Sequence, residues 1–378
     1  MPDLTLVLLG AGNSTRFNQK FKKQWMRIGE DPLWLFVAKR LQTFADFKQI
    51  IVVANKEEIE YMKNFADYKF VPGGKERQIS LQNALLQVDS KYVLVTDVAR
   101  ACVQKRVVDD LIENRTKADI IVPYIKVSDT VHYKNSFLDR DKLKLIQTPQ
   151  LSQTKILKNA LNTTEIFTDD STAILKNGGT VFYVEGDTSA TKLTYANDLS
   201  KLECLQKPCK DIFTGIGYDV HPFENDKDMF LCGVRIDVPY GFKAHSDGDV
   251  AIHAIIDALL GSIGAGDIGE LFPDSDNRYK NIDSKILLKK VCNFVSNVGC
   301  DIVNIDITVI AQKPKLSDYK KSMRKNISKL LNIPYVKVNI KATTTEKLGF
   351  VGREEGVAVE AIANTKYTDW TSKQEDSI

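Results

Sequence analysis

Apolar and polar positions along this chain fall into short blocks of two alternating kinds. Residues 4–9 are an almost unbroken apolar run, the pattern of a parallel strand covered on both faces. Residues 32–41 carry apolar side chains at helical spacing, and residues 49–54 are again a continuous apolar run. A helix over 57–65 and a short strand over 68–71 follow. A turn from Pro72 leads into a helix through Leu86, and residues 92–97 predict another strand. Strands alternating with helices predict a doubly wound α/β sheet, in which ligands bind beyond the carboxyl ends of the strands. The loop after Leu9, the turn at Gly73 and Asp97 all fall at such ends.

Further along, residues 198–205 predict a terminal helix, and the stretch around Pro208 is charged and short. A boundary near Lys207 divides the chain into domains 1–207 and 208–378. The second domain opens on a strand over 212–219, and residues 249–261 repeat apolar side chains at helical spacing up to Gly261. The polar, charged residues 366–378 predict a loose tail.

Composition narrows the function. With 378 residues, 43% of them hydrophobic, the chain can fill two cores. Fifty-two Lys and Arg against 49 Asp and Glu leave a net charge of +3, too balanced for a nucleic-acid binder. Six cysteines without a C-x-x-C pair suggest neither a zinc ribbon nor a disulfide framework, so reduced thiols and a cytoplasmic location are expected. The first apolar run is too short for a signal sequence or membrane span, and no later stretch reaches spanning length.

The chemistry is concentrated in a few stretches. Gly10-Ala-Gly-Asn-Ser-Thr-Arg16 is a small-residue loop after a strand, where backbone N–H groups can approach phosphate oxygens. It is not a Walker A loop, and Thr15 at the third glycine position counts against a dinucleotide fingerprint. Arg16, Lys22, Lys23 and Gln24 follow, and fixed cations there would neutralise a polyphosphate. Asp97, followed by Arg100, could ligate a nucleotide's magnesium or cap a helix. In the second half Asp219 and His221 stand two apart, so on a strand both leave one face, and His253 lies on the following helix. One carboxylate and two imidazoles suit a catalytic zinc with an open fourth position, although manganese or iron accepts the same ligands.

Two resemblances extend this reading. Gly10-Ala-Gly-Asn-Ser-Thr-Arg-Phe17, Lys22-Lys-Gln-Trp25, Gly73-Gly-Lys-Glu-Arg-Gln-Ile-Ser80, Thr96-Asp-Val-Ala-Arg100, Gln147-Thr-Pro-Gln150, Thr168-Asp-Asp170 and Thr191-Lys-Leu-Thr194 resemble the 2-C-methyl-D-erythritol 4-phosphate cytidylyltransferase family. The resemblance implies a nucleotidyltransferase-type sheet domain that transfers CMP from CTP to a sugar-alcohol phosphate with magnesium. It makes Arg16 and Lys23 the catalytic cations at the triphosphate and gives Ala11, Gly12, Gly74 and Ser80 to the nucleotide. It gives Asp97, Arg100, Arg140, Thr148 and Lys192 to the methylerythritol phosphate, with Arg140 on an arm that reaches the other subunit of a dimer. Ser14 stands where the family usually has glycine, Lys22 where it has proline, and Ala101 where proline often follows the arginine.

From about residue 210 to 366, Gly217-Tyr-Asp-Val-His-Pro-Phe223, Ala244-His-Ser-Asp-Gly-Asp249, Gly266-Asp-Ile-Gly-Glu-Leu-Phe-Pro-Asp274, Ala311-Gln-Lys-Pro-Lys315 and Ala342-Thr-Thr-Thr-Glu-Lys-Leu-Gly-Phe350 resemble the 2-C-methyl-D-erythritol 2,4-cyclodiphosphate synthase family. This implies an α/β sheet domain in a trimer with its active site between subunits. Asp219, His221 and His253 would hold zinc and Glu346 magnesium. His245 and Ser246 would bind the substrate's 2-phosphate, and Asp267 and Gly269 its hydroxyls. Ala311, Lys315, Thr343 and Thr344 would reach the cytidine from the neighbouring subunit, with Thr344 also catalytic. Phe272, Asp274 and Thr345 are expected at the substrate, and Phe350 and Arg353 at a cavity on the trimer axis.

The chain as a whole thus resembles a fusion of two isoprenoid-precursor enzymes, acting on CTP and methylerythritol phosphates. A dimer-forming and a trimer-forming half imply a closed assembly of six chains. The kinase step between the two reactions has no candidate here, so that kinase is a possible partner. One alternative is a first half reduced to a nucleotide-binding or assembly scaffold, leaving only the cyclase active.

Overall fold

The computed structural model describes residues 3–134, 136–244, 246–273, 277–279 and 282–371. The chain separates into two compact units, Met1–Lys207 and Pro208–Ile378.

The first unit is built on one eight-stranded sheet. Its strands are β1 (Leu4–Leu9), β2 (Gln49–Ala54), β3 (Lys69–Pro72), β4 (Tyr92–Asp97), β5 (Ile120–Lys126), β6 (Lys144–Ile146), β7 (Gln150–Gln153) and β8 (Val181–Glu185). Their order is β6-β5-β7-β4-β1-β2-β3, with β8 also paired to β5. The centre is parallel, β1 lying between β4 and β2, whereas β6 and β7 run antiparallel. Six helices connect them: α1 (Leu33–Gln42), α2 (Ile59–Lys63), α3 (Arg77–Leu85), α4 (Lys105–Glu113), α5 (Thr154–Ala160) and α6 (Asp170–Lys176). On one face Val7, Ile51, Val53, Val93 and Val95 pack with Leu81 of α3, Leu157 of α5 and Ile174 of α6. Leu6 and Leu8, which leave β1 on the other face, are also fully buried. Two-sided burial is what a strand without polar alternation requires.

Three expectations change here. The predicted helix over 57–65 is divided into a 3-10 turn, Lys56–Glu58, and α2. Residues 198–205 form no α-helix but a 3-10 segment, Ala196–Lys201. Its Asp198 carboxylate accepts from the N–H groups of Thr194 and Tyr195 and closes the preceding turn. The thiols are not all reduced: Cys102 and Cys204 form a disulfide, with Cα atoms 5.6 Å apart. The fold brings the segment after α6 back against the turn after β4, a meeting of residues 102 apart that cysteine spacing does not reveal.

The second unit has a five-stranded sheet of β9 (Ile212–Asn225), β10 (Tyr240–Phe242), β11 (Cys300–Ile310), β12 (Val338–Thr343) and β13 (Gly356–Tyr367). Their order is β10-β9-β13-β11-β12. The helices are α7 (Val250–Ser262), α8 (Ser284–Asn297) and α9 (Lys320–Leu331). Helix α7 packs on β9 and β13. The approach is close because β9 presents glycines to it. A Cβ on Gly215 would lie 2.1 Å from the carbonyl oxygen of Ala258, and one on Gly217 would lie 2.0 Å from that of Ala254. The expected tail starts later than residue 366, because β13 continues to Tyr367 and Thr365 is fully buried. Residues 372–378 lie outside the described residues.

Candidate active sites

In the first unit, the carboxyl ends of β1, β2 and β4 open into a cleft of about 630 Å³. The loop at 10–16 is anchored where Gly10 N–H donates to the carbonyl oxygen of Val53, and the opposite turn where Gly73 N–H donates to that of Ala54. These two walls touch: a Cβ on Gly73 would sit 2.3 Å from the Ala11 Cβ, so only glycine admits the approach. Ser14 occupies the left-handed region at φ 56°, the conformation a glycine would adopt without cost. Its hydroxyl accepts from Lys23 N–H at 2.9 Å and donates to Gln24 Oε1 at 3.2 Å, which offsets the strain.

Of the residues expected here, Ala11, Gly12, Arg16, Lys23, Gly74, Ser80, Asp97 and Lys192 line the cleft. Ser80 Oγ accepts from Gly74 N–H at 3.0 Å, and Lys23 Nζ donates to the Leu193 carbonyl oxygen at 2.7 Å. Burial, together with neighbouring Lys192, pulls the Lys23 ammonium down to about 8. Asp97 is engaged by Lys192 Nζ at 2.5 Å and Arg77 Nε at 3.4 Å. Burial pushes its carboxyl up, but Arg77 and Lys192 outweigh that and hold it below the usual range. Asp97 therefore sits in a clamp of cations. Thr148, just behind, accepts from Asp97 N–H at 3.4 Å. Arg100 donates Nη1 to Ala190 O at 2.6 Å, while its buried Nε has no hydrogen-bond partner among the described residues. Arg140 is not in this cleft. It begins a 3-10 turn on the exposed excursion between β5 and β6 and donates to Ser128 O at 2.8 Å.

Residues assigned no role from sequence also shape the cleft. Arg77 donates to both Asp170 oxygens, at 2.6 and 3.2 Å, and lines the cleft beside Asp97. Both lie in strings quoted for the resemblance, which was the available signal. Glu58 is buried behind the Lys23 turn, and no motif marked it.

In the second unit the strand alternation that turns Gly215 and Gly217 toward α7 also turns Asp219 and His221 that way. Asp219 Oδ2 lies 3.1 Å from His221 Nε2 and 3.2 Å from His253 Nδ1 on α7. One ligand atom from each of the three lies within 4.8 Å of the others. The remaining ring nitrogens are held from outside: His221 Nδ1 by Gly248 O at 3.0 Å, His253 Nε2 by Ser284 Oγ at 3.0 Å. Burial raises the Asp219 carboxyl, but hydrogen bonds from both imidazoles outweigh it and keep the group ionised. The donor set and its oriented imidazoles fit a divalent metal. Ser246 Oγ is 3.3 Å from His253 Nε2. Asp267 caps the short helix Ile268–Leu271, which contains Gly269, through Glu270 N–H. Phe272 is buried edge-on to Tyr279. His245 and Asp274 lie outside the described residues.

A separate cleft of about 290 Å³ gathers Ala311, Lys315, Thr343 and Thr344. Glu346 follows at φ 52°, accepting from Thr344 Oγ1 at 2.8 Å, and Thr345 Oγ1 donates to Leu348 O at 2.7 Å. Phe350 lies in the short helix Gly349–Gly352, and Arg353 is exposed and paired with Glu355 at 2.7 Å. This cleft is not lined by Asp219, His221 or His253.

Both units thus offer machinery for phosphate: backbone N–H groups with fixed cations in one, a carboxylate–imidazole cluster and a separate cleft in the other. The class this defines is a two-headed α/β enzyme of phosphoryl chemistry. Residues 4–207 match the family described as 2-C-methyl-D-erythritol 4-phosphate cytidylyltransferase, and residues 212–366 match the YgbB family. A protein of Aliarcobacter butzleri (strain RM4018) described as bifunctional enzyme IspD/IspF is 54% identical, over 99% of this chain and 100% of its own. One of Campylobacter fetus subsp. fetus (strain 82-40) with the same description is 55% identical, over 98% and 99%. The solved structure of the bifunctional IspDF from Campylobacter jejuni has a TM-score of 0.88 at 52% identity, covering 98% of this chain and 100% of that one. The chain belongs to this bifunctional IspD/IspF family, an α/β nucleotidyltransferase joined to an α/β cyclodiphosphate synthase. It is an enzyme of isoprenoid-precursor synthesis with both a cytidylyltransferase and a lyase activity, and the family uses divalent metals. The comparisons lend no support to a first half reduced to a scaffold. Among the described residues, no helix is long and apolar enough to cross a membrane.

Proposed function

We propose that the two reactions are divided between the units, residues 1–207 carrying cytidylyl transfer and residues 208–378 carrying cyclisation. In the first, Ala11, Gly12, Gly74 and Ser80 hold CTP with its triphosphate along the loop at 10–16. A phosphate oxygen of 2-C-methyl-D-erythritol 4-phosphate attacks the α-phosphorus, and the bond to diphosphate breaks. Arg16 and Lys23 meet the charge that develops there. Asp97, Arg100, Thr148 and Lys192 seat the acceptor phosphate. Arg140, exposed and outside its own chain's cleft, reaches the site of a second copy.

In the second, the 2-phosphate oxygen of CDP-methylerythritol 2-phosphate attacks the β-phosphorus. CMP leaves, and an eight-membered cyclic diphosphate closes. Asp219, His221 and His253 would hold zinc, and Glu346 and the CTP triphosphate magnesium, and these ions would supply Lewis-acid neutralisation of the phosphate oxygens. His245 and Ser246 hold the 2-phosphate, and Asp267 and Gly269 the hydroxyls, with Phe272 and Asp274 beside them. Ala311, Lys315, Thr343, Thr344 and Thr345 bind the cytidine side from a neighbouring copy. Phe350 and Arg353 face a cavity on the trimer axis. No base is needed to make the nucleophile, since the phosphate is already ionised, and proximity carries much of the rate. Between the two reactions a phosphoryl group must be added, so a separate kinase acts in the same compartment, the cytoplasm, and is a candidate partner. Dimer contacts by the first half and trimer contacts by the second close an assembly of six chains.

The observation that carries this reading is that the cation-lined cleft and the Asp219–His221–His253 cluster share no residue and lie in different units. Lys23→Ala is expected to slow CMP transfer by roughly two to three orders of magnitude and leave cyclisation intact. His253→Ala is expected to lose cyclisation and most bound zinc while transfer persists, and His132→Ala to keep its zinc. Assays of both reactions with elemental analysis decide it. Loss of both activities in either variant, or full zinc occupancy in His253→Ala, overturns the assignment.

A further inference from the structure

Glu58 carries a carboxylate in a place where none is expected. It ends the Lys56–Glu58 turn beyond β2 and is 3% exposed. Burying a charge costs several kcal/mol unless the group is paired and hydrogen-bonded. Glu58 is both. Lys22 Nζ pairs with Oε1, while Oε2 accepts from Trp25 Nε1 at 2.7 Å and Gln24 Nε2 at 3.3 Å. All three donors come from one stretch, residues 22–25, and they bracket Lys23, which is turned away.

The geometry of that stretch explains the division. Lys23–Trp25 is a 3-10 turn, in which residues three apart lie one above the other. Lys22 and Trp25 therefore share the side that meets Glu58, and Lys23 is left to the cleft. Trp25 cannot shift to follow a moving turn, since its ring is fully buried against Trp34, Tyr61 and Phe65. Gln24 carries the connection into the phosphate loop. The carboxamide that donates to Glu58 also donates to Gly12 O at 3.3 Å and accepts from Ser14 Oγ at 3.2 Å. Ser14 Oγ in turn accepts from Lys23 N–H. One buried carboxylate thus sets both the turn that bears Lys23 and the loop that faces it. Lys22 and Ser14, two of the three departures from the family pattern, are both members of this network.

We propose that Glu58 is a positioning residue for cytidylyl transfer, fixing Lys23 against the loop at 10–16 through Lys22, Gln24 and Trp25. It touches no substrate and acts through its partners. The proposal rests on the reading of Lys23 as the cation that stabilises the transferring phosphorus.

The test is a double-mutant cycle on the full chain with CTP and 2-C-methyl-D-erythritol 4-phosphate. Glu58→Gln keeps shape but leaves Lys22 without its charge partner. It is expected to lower kcat by about 10- to 100-fold, the size of a small misplacement of a catalytic group, while KM for CTP moves less than about threefold. In a Lys23→Ala background the same change is expected to cost less than about threefold, because the group it positions is gone. Trp25→Phe removes one donor and keeps the ring packing. It is expected to give a smaller loss with the same non-additivity, and it decides the matter if Glu58→Gln does not fold. An unchanged kcat in Glu58→Gln, or losses that multiply with Lys23→Ala, overturns the proposal. A Lys23→Ala enzyme of normal rate removes the underlying reading of Lys23, and the proposal with it, and is distinguished by that single variant.

Discussion

Ser14 and Lys22 show how a residue can depart from a family's pattern and still serve it. A glycine at position 14 would take φ 56° for nothing, whereas serine takes it and recovers a hydrogen bond to Lys23 N–H. Lys22 gives up a proline's fixed backbone and gains an ion pair with buried Glu58. Beside them, Lys23 is removed from water and faces the like charge of Lys192, so its ammonium is pulled down to about 8. Arg16 adds to that pull, while Asp97 and Asp198 oppose it. A lysine with that value is charged at neutral pH and loses its charge as pH rises through about 8. CMP transfer is therefore expected to fall along an alkaline limb near pH 8 that cyclisation does not share. Lys23→Arg, which keeps its charge to far higher pH, is expected to lack that limb. A limb unchanged in Lys23→Arg assigns it to another group.

At the scale of elements, the Asp219–His221–His253 cluster depends on how closely a helix can approach a strand. Gly215 and Gly217 have no side chain, so α7 lies directly on β9, and the next two residues on that face, Asp219 and His221, meet His253. A methyl group at 217 would lie 2.0 Å from the carbonyl oxygen of Ala254, the residue next to His253. Gly217→Ala is expected to destabilise the second unit by about 1–3 kcal/mol, as overpacking does. On the proposed reading of the cluster as a zinc site, it is also expected to loosen zinc, although none of the three residues is changed. Thermal unfolding and competition with a zinc chelator measure the two effects. Wild-type zinc affinity in a destabilised Gly217→Ala protein would show that the cluster tolerates a shifted helix.

At the scale of the whole molecule, two groups of residues expected at substrate sites stand apart from the rest in a single chain. Arg140 lies on the exposed excursion between β5 and β6, and the cleft with Thr343 and Thr344 does not include Asp219, His221 or His253. On the proposed function, a second copy completes both sites. Arg140→Met is expected to weaken binding of the methylerythritol phosphate and leave CTP binding nearly intact. Mixing Arg140→Met chains with Lys23→Ala chains is expected to restore part of the transfer activity, because one hybrid site then holds both groups. No rescue in verified mixed oligomers would place Arg140 outside a shared site.

Periodicity and local chemistry were enough to mark the strands Leu4–Leu9, Gln49–Ala54 and Tyr92–Asp97 and the pairing of Asp219 with His221 on one face. Those features depend on residues close in sequence, where side-chain direction follows from the backbone repeat. What the sequence did not disclose depends on residues far apart. The Cys102–Cys204 bond joins positions 102 apart, and Arg77, which had no role from sequence, reaches Asp97 and Asp170. Glu58 belongs to no motif and became legible only when its three donors were seen to converge on it. Spacing along a chain carries no record of which distant groups meet. Packing decides that, because a buried charge persists only where the fold delivers its partners.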